Sequence, residues 1–199
     1  MAKITPELIK QLRDMTGLGM MDCKVALVDT DGDIERAITL LRKKGFATAQ
    51  KRADKAVSCG LIHAYIHPGS TLGVLVEIGC ETDFVAATAD LKEFAKTLGM
   101  QIAAMRPMCV SPDQLDPAFI EKEKEIAKEQ LAQSSKPAQV IEKIITGKLE
   151  KLYSEICLIK QTYIKDDKRT VEEVLNDIIG KVGEKVVIKR FARFQVGAA

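Results

Sequence analysis

The side chains best suited to metal binding or nucleophilic catalysis are two histidines and five cysteines in a chain of 199 residues. His63 and His67 lie four residues apart in a strand-like segment, which separates their Cα atoms by about 13 Å, too far to share an ion unless the strand ends between them. The cysteines are odd in number and contain no C-x-x-C pair, so neither a disulfide framework nor a zinc site is expected. They are Cys23, Cys59, Cys80, Cys109 and Cys157. We therefore predict no metal and no cofactor.

Sequence motifs for catalysis are also missing. Thr146-Gly147-Lys148 lacks the upstream glycine and the following hydroxyl of a phosphate-binding loop, and Gly17-Leu18-Gly19 lies between predicted helices instead of after a strand. A nucleophile made of Cys80 or Cys23 with a histidine stays open, because a sequence does not show spatial neighbours. The residue types present in the sequence favour a binding protein that is not an enzyme.

The stretch Thr82-Asp83-Phe84-Val85 has the character of a binding site. It lies where the pattern changes from a strand, residues 73–78, to a helix with apolar residues at helical spacing. A phenylalanine at an exposed turn of this kind invites a partner that buries it. The alternative is that Phe84 folds into the core and Asp83 is only a turn residue. The spacing leaves both open.

Charge limits the classes of partner. Thirty Lys and Arg against 28 Asp and Glu give a net charge of +2, too balanced for nucleic acid or an anionic membrane as the main partner. A basic run at residues 42–55 keeps nucleic-acid binding as an alternative, although it lacks interleaved aromatics and reads better as a solvated helical linker. No apolar run approaches the roughly 20 residues of a membrane span, and the N-terminus lacks a secretory signal. We expect a cytoplasmic protein.

Helix signals dominate the first 50 residues. Thr5-Pro6 suits the start of a first helix, and Asp33 suits the N-cap of a third. Gly45 suits the C-terminal cap of that third helix. The pattern predicts residues 1–52 as a three-helix domain with a basic linker.

Residues 53–199 are predicted to form a core in which a small three-stranded antiparallel sheet packs with helices, which makes the fold α+β. Pro68-Gly69-Ser70-Thr71 predicts the turn of a hairpin, and Leu91, Phe94, Ala95, Leu98 and Ile102 form a helical stripe. Residues 158–169 read as a polar loop. The predicted elements are a hairpin at 59–80, helices at 88–105, 117–133, 138–157 and 170–182, and a strand at 185–195.

Two motifs carry a family resemblance. The run from Thr16 to Lys24, Thr-Gly-Leu-Gly-Met-Met-Asp-Cys-Lys, is followed about 60 residues later by Thr82-Asp83-Phe84-Val85. Together they resemble the elongation factor Ts family of bacteria, and the segment from Gly183 to Phe194 is also similar to it. The resemblance covers nearly the whole chain and implies a ubiquitin-associated-like fold for the N-terminal helices. The single core is similar to the short form of the family.

The resemblance implies a translation elongation factor. Such a factor binds elongation factor Tu·GDP through the nucleotide-binding domain of that partner, disturbs its Mg²⁺ and phosphate site, and promotes exchange of GDP for GTP. By match, Phe84 enters an apolar pocket and Asp83 makes polar contacts beside it. The residues implied for the partner site are Thr82, Asp83, Phe84 and Val85, and those implied for N-terminal docking are Met20, Met21 and Lys24. A binder of ubiquitin-like modules based on the three-helix unit alone is a further alternative.

The apolar residues of the last predicted strand indicate the oligomeric state. Val186, Ile188 and Phe194 are expected on one side of it, with Val187 and Phe191 on the other. Apolar residues on both sides suit a strand covered once by its own helices and once by a second chain. We therefore predict a homodimer through the core. The alternative is a monomer in which the helices at 117–133 and 138–157 cover the second side.

Overall fold

The computed structural model describes residues 4–131 and 137–198, and within these ranges the chain folds into eight α-helices and five β-strands. The helices are α1 (Pro6–Thr16), α2 (Met20–Asp29), α3 (Ile34–Lys51), α4 (Asp83–Ala87), α5 (Ala89–Met105), α6 (Pro117–Leu131), α7 (Ala138–Ile156) and α8 (Val171–Val182). The strands are β1 (Cys59–Ile66), β2 (Leu72–Cys80), β3 (Thr162–Tyr163), β4 (Asp166–Thr170) and β5 (Val186–Gln195). The predicted α+β class is confirmed. Residues 132 and 133, predicted to end a helix, lie outside the described ranges.

The main sheet is the predicted antiparallel one, in the order β1-β2-β5. The stripe expected to cover it is buried throughout, since Leu91, Ala95, Leu98 and Ile102 have no exposed surface and Phe94 has 3%. Buried aliphatic and aromatic side chains of this size each contribute roughly 1.5–3 kcal/mol. The helix that carries them, α5, is therefore a central element of the core.

A second sheet forms where a polar loop was expected, so that part of the prediction is wrong. Strands β3 and β4 pair antiparallel, with Thr162 opposite Thr170. Buried Gln101 on α5 supports this hairpin, because its Nε2 donates to the Thr162 carbonyl at 3.0 Å and its Oε1 accepts from the Ile164 amide at 2.7 Å. The strands are short and polar, so they lack the alternation of apolar residues from which a strand is predicted.

The N-terminal helices begin as expected. Thr5 Oγ1 accepts from the Leu8 amide, and Asp33 Oδ1 accepts from the Arg36 amide at 3.0 Å. These bonds satisfy amides that the first turn of a helix leaves unpaired. The helices then close on a small core of their own, made of Ile9, Leu12, Cys23, Ala26, Leu27, Ala37 and Leu41.

The predicted helix end at Gly45 is wrong, because α3 continues to Lys51. Gly45 is buried where α3 meets α8, and a Cβ built on it would lie 3.1 Å from the Asn176 carbonyl oxygen. A Cβ on Gly180 would lie 3.0 Å from the Gly45 Cα. The glycine is thus explained by the close approach of two helix backbones, not by a left-handed cap.

The alternation of β5 also differs from expectation. Val186 and Ile188 are buried, but Phe194, placed on the same side by simple alternation, is 65% exposed. Lys189 and Arg190 are exposed in succession, and the buried and exposed positions exchange parity there. A shift of one residue is what a β-bulge produces.

The described chain divides into two compact units. The first holds the described part of Met1–Leu61 together with Ile78–Glu93 and Glu173–Val187. The second holds Ile62–Glu77, Phe94–Glu172 and the described residues from Ile188 onward. The domain boundary between residues 52 and 53 stays a prediction.

The crossing of α3 and α8 can be tested with two glycines. We expect Gly180→Ala to lower the free energy of unfolding by about 1–3 kcal/mol, because the added methyl group meets backbone that cannot move aside. Gly147→Ala on α7 is the matched control, since nothing lies within 4 Å of the new Cβ, and it should raise stability by up to about 1 kcal/mol. Urea denaturation measures both. Equal effects of the two substitutions would contradict this packing.

Candidate functional site

The stretch Thr82–Val85 forms a strand-to-helix turn. Strand β2 ends at Cys80, and Thr82 is the N-cap of α4, with its Oγ1 accepting from the Val85 amide at 3.4 Å. Thr88 then starts α5, because its Oγ1 accepts from the Leu91 amide at 3.3 Å, as the sequence predicts. The five-residue helix α4 between them was not predicted.

Phe84 points into solvent. Its residue surface is 83% exposed, whereas the next residue, Val85, is only 7% exposed. Successive side chains on a helix point about 100° apart, so one residue can anchor the turn while its neighbour faces outward. Asp83 is exposed beside Phe84. The alternative in which Phe84 folds into the core is therefore wrong.

A carboxylate from the segment that follows α8 holds this turn. Glu184 Oε2 accepts from the Thr82 amide at 3.1 Å, and its Oε1 accepts from the Thr82 hydroxyl at 2.8 Å. Hydrogen bonds to an ionised acceptor are stronger than neutral ones. Gly183, with φ of +70°, turns the chain at the end of α8 and so brings Glu184 into place. Sequence reasoning noted Glu184 only within the family resemblance and missed this role.

A second carboxylate, Glu81, ties the same turn to two other segments. It accepts from the Lys185 amide at 2.6 Å and from Arg52 Nη1 at 2.8 Å. These two donors, the Lys185 amide first, hold the pKa of Glu81 below its ordinary value. Lys185 Nζ also donates to the Ala53 carbonyl and, at 3.0 Å, to the Lys55 carbonyl.

These contacts bear on the basic run at 42–55. The guanidinium of Arg52 is engaged by Glu81, and the backbone after it is held by Lys185. The end of the run thus braces the motif, which is a structural use of the cation.

The cysteines proposed as nucleophiles are buried. Cys80 Sγ donates to the Thr82 carbonyl at 3.0 Å, and burial raises the pKa of the Cys80 thiol, with the charge of Glu184 adding to the effect. Cys23 is fully buried in the core of the N-terminal helices. A catalytic cysteine needs the opposite, a lowered pKa and access to substrate.

The residues expected to dock the N-terminal helices share an exposed face of α2. Met20 is 47% and Met21 69% exposed, and Lys24 is also exposed. Two further apolar side chains of α2 extend this face, namely Val25 and Val28. An exposed apolar surface on a helix whose other side is fully packed is a candidate for protein binding.

Grouped metal ligands and membrane-spanning helices are both missing from the residues that the structure describes. Among residues 4–131 and 137–198, no three His, Cys, Asp or Glu side chains are grouped so that they would hold an ion. In the same ranges, every helix is too short or too polar to cross a membrane.

The chain is similar to a known family along nearly its whole length. The family described as Elongation factor TS matches residues 41–198. A protein named Elongation factor Ts from Moorella thermoacetica is 53% identical over 189 residues, covering 95% of this chain and 93% of the relative. Proteins of the same name from Caldanaerobacter subterraneus and Desulfotalea psychrophila are each 50% identical, over 98% of this chain and 97% and 99% of their own. These alignments include most of the N-terminal helices, before residue 41.

The contribution of Glu81 to the free energy of unfolding should depend on pH. A carboxylate whose pKa is lowered on folding stabilises the protein above its ordinary pKa and loses that effect as pH falls through the folded value. We expect Glu81→Gln to lower the free energy of unfolding at pH 7, and the difference from the parent to shrink at pH values where Glu81 is protonated. Urea denaturation across pH measures it.

Glu129→Gln, at an exposed position on α6, is the control and should stay close to the parent at both pH values. A difference at Glu81 that persists unchanged in acid would mean that the carboxylate charge is not what braces the turn.

Proposed function

Since the chain belongs to the elongation factor Ts family, we propose that it binds elongation factor Tu·GDP and promotes exchange of GDP for GTP. Its role is that of a translation elongation factor, and its place of action is the cytoplasm. A nucleotide exchange factor catalyses no chemical reaction in the usual sense, so the protein is not an enzyme. What it must do is favour a state of its partner that holds GDP poorly.

The observation that carries this proposal is the exposure of Phe84 on a turn braced from both sides. An aromatic ring in water gains free energy when a partner buries it. Because Glu184 and Val85 already fix the turn, little conformational entropy is lost when Phe84 binds. We assign Phe84 to an apolar pocket in the nucleotide-binding domain of elongation factor Tu.

Asp83 supplies the polar part of the same contact. Nucleotide-binding proteins of the elongation factor Tu kind hold GDP partly through Mg²⁺, which bridges the phosphate oxygens to the protein. Thr82 and Val85 position Asp83 and Phe84 between them. In this proposal, insertion of the pair shifts the segments that support Mg²⁺ and phosphate, and the ion and GDP are then held less well.

The exposed face of α2 is the second contact in the proposal. Met20 and Met21 offer flexible apolar side chains, which adapt well to a partner surface. Lys24 adds a positive charge to that face. Docking there gives affinity independently of the Phe84 contact, and residues 1–52 are proposed to act as the docking domain.

The assignment of Phe84 to an apolar pocket of elongation factor Tu is tested by Phe84→Ala. Loss of a well-buried aromatic anchor typically costs about 2 kcal/mol or more, which is roughly 30-fold in affinity for the partner. We expect release of a fluorescent GDP from elongation factor Tu, followed by stopped flow, to be accelerated much less by this variant than by the parent. Its melting temperature should be unchanged, because the side chain makes little contact within the chain.

Phe119→Ala is the matched control, since Phe119 is also a partly exposed aromatic, on α6 and outside the proposed contact surfaces. It should retain the exchange activity of the parent. If folded Phe84→Ala protein were as active as the parent, the assignment of Phe84 would be wrong.

We also propose that the protein forms a homodimer through an apolar face of its main sheet. The face is defined by Ile62 and Ile66 of β1, Leu75 of β2, Phe194 of β5 and Val196. Each is between 46% and 73% exposed in the single chain. The helices that the structure describes therefore leave it open, which favours a second copy over the monomeric arrangement. Arg190 and Glu77, paired at 2.7 Å, lie among the residues around it and give it a polar rim.

Leu75→Glu tests the dimer. A carboxylate placed in the middle of an apolar interface loses its hydration without a partner, so the variant should remain monomeric. We expect light scattering to give twice the chain mass of 21.9 kDa for the parent and the single chain mass for the variant. Val28→Glu, a like change at the exposed face of α2, should remain a dimer. A parent mass of one chain at high micromolar concentration would contradict the proposal.

A further inference from the structure

Two cysteines meet at the base of the helical pair α6–α7. Cys109 lies before this pair of helices and Cys157 directly after it, and their backbones form a parallel β-bridge. The bridge is held by hydrogen bonds from the Leu158 amide to the Cys109 carbonyl and from the Ile159 amide to the Val110 carbonyl, each 3.0 Å long. The two chain segments are therefore fixed side by side where the helical pair begins and ends.

The two thiols face each other across this bridge. Cys109 Sγ and Cys157 Sγ are hydrogen-bonded at a separation of 3.5 Å. Paired residues on neighbouring strands have backbones about 4.8 Å apart. That spacing falls inside the roughly 4.4–6.8 Å range of Cα separations found in disulfides. A small rotation of the side chains would bring the sulfurs to bonding distance without backbone movement.

We propose that Cys109 and Cys157 form a reversible oxidation site, at which a peroxide converts the two thiols into an intramolecular disulfide. The disulfide would fasten together the two ends of the α6–α7 helical pair. The proposal is independent of nucleotide exchange, because it involves neither the Phe84 turn nor the face of α2.

The chemistry proceeds in two steps. The Cys109 thiolate attacks one oxygen of the peroxide, the O–O bond breaks, and the other oxygen takes up a proton and leaves as water or an alcohol. The Cys157 sulfur then attacks the resulting sulfenic sulfur, the S–S bond forms, and the hydroxyl group leaves as water with the proton of Cys157. The two thiols lose two electrons and two protons, and the peroxide gains them.

Accessibility sets the order of these steps. Cys109 is half-buried and open to a small oxidant, whereas Cys157 has no exposed surface. Burial, together with the hydrogen bond and the charge of Cys109, raises the pKa of Cys157 to about 12. Cys157 is thus shielded from direct oxidation and serves as the thiol that resolves the sulfenic acid.

Peptide mapping of the full-length protein tests the site. After treatment with hydrogen peroxide and alkylation of free thiols, trypsin should release peptide 97–122 joined to peptide 152–160. The pair should weigh two hydrogens less than the separate peptides and should separate on treatment with dithiothreitol. A bond between Cys59 and Cys80 would lie within the single peptide 56–92, so the two disulfides cannot be confused.

Two variants make the result specific. Cys109→Ala should abolish the joined peptides without disturbing buried Cys157, and Cys59→Ala should form them like the parent. Oxidation should also raise the melting temperature of the parent and of Cys59→Ala but not of Cys109→Ala, because the bond closes a long loop. Unlinked peptides with Cys109 oxidised to sulfinic acid, or peptides joined only between chains, would overturn the proposal.

Discussion

The carboxylate of Glu184 is the interaction on which the site depends. It binds both the amide and the hydroxyl of Thr82, and the hydroxyl oxygen remains able to accept from the Val85 amide. Glu184 thereby fixes a turn that lies more than 100 residues earlier in the chain. Glu81 strengthens the arrangement by joining the Lys185 amide to Arg52. With its neighbours held in this way, Phe84 can stay in solvent without loosening the turn.

The exposed apolar surfaces of this fold are typical of a binding protein. Phe84 and the α2 face of Met20 and Met21 belong to the first compact unit, and neither is covered by the residues that the structure describes. Exposed apolar side chains gain free energy when a partner removes them from water. The second unit carries the open sheet face around Leu75 and Phe194. Each surface thus has a proposed occupant, elongation factor Tu for the first two and a second copy for the third.

Strong local patterns were predictable from the sequence, and contacts between distant segments were not. The stripe of α5 and the caps at Thr5 and Asp33 follow from spacing and side-chain chemistry over a few residues. Gly45 was misread because a glycine at a helix crossing looks like a glycine at a helix end until α8 is seen beside it. Strands β3 and β4 depend on buried Gln101, about 60 residues away. The exposure of Phe84 depends on Glu184, which no local pattern reveals.

We propose that binding of this chain and binding of GDP oppose each other on elongation factor Tu, and calorimetry measures that coupling directly. The affinity of the chain is measured for the nucleotide-free and the GDP-bound partner, and the affinity of GDP is measured with and without the chain. We expect the nucleotide-free partner to bind the chain more tightly, and the chain to weaken GDP binding by the same factor. Equal affinity of the chain for both forms of the partner would contradict it.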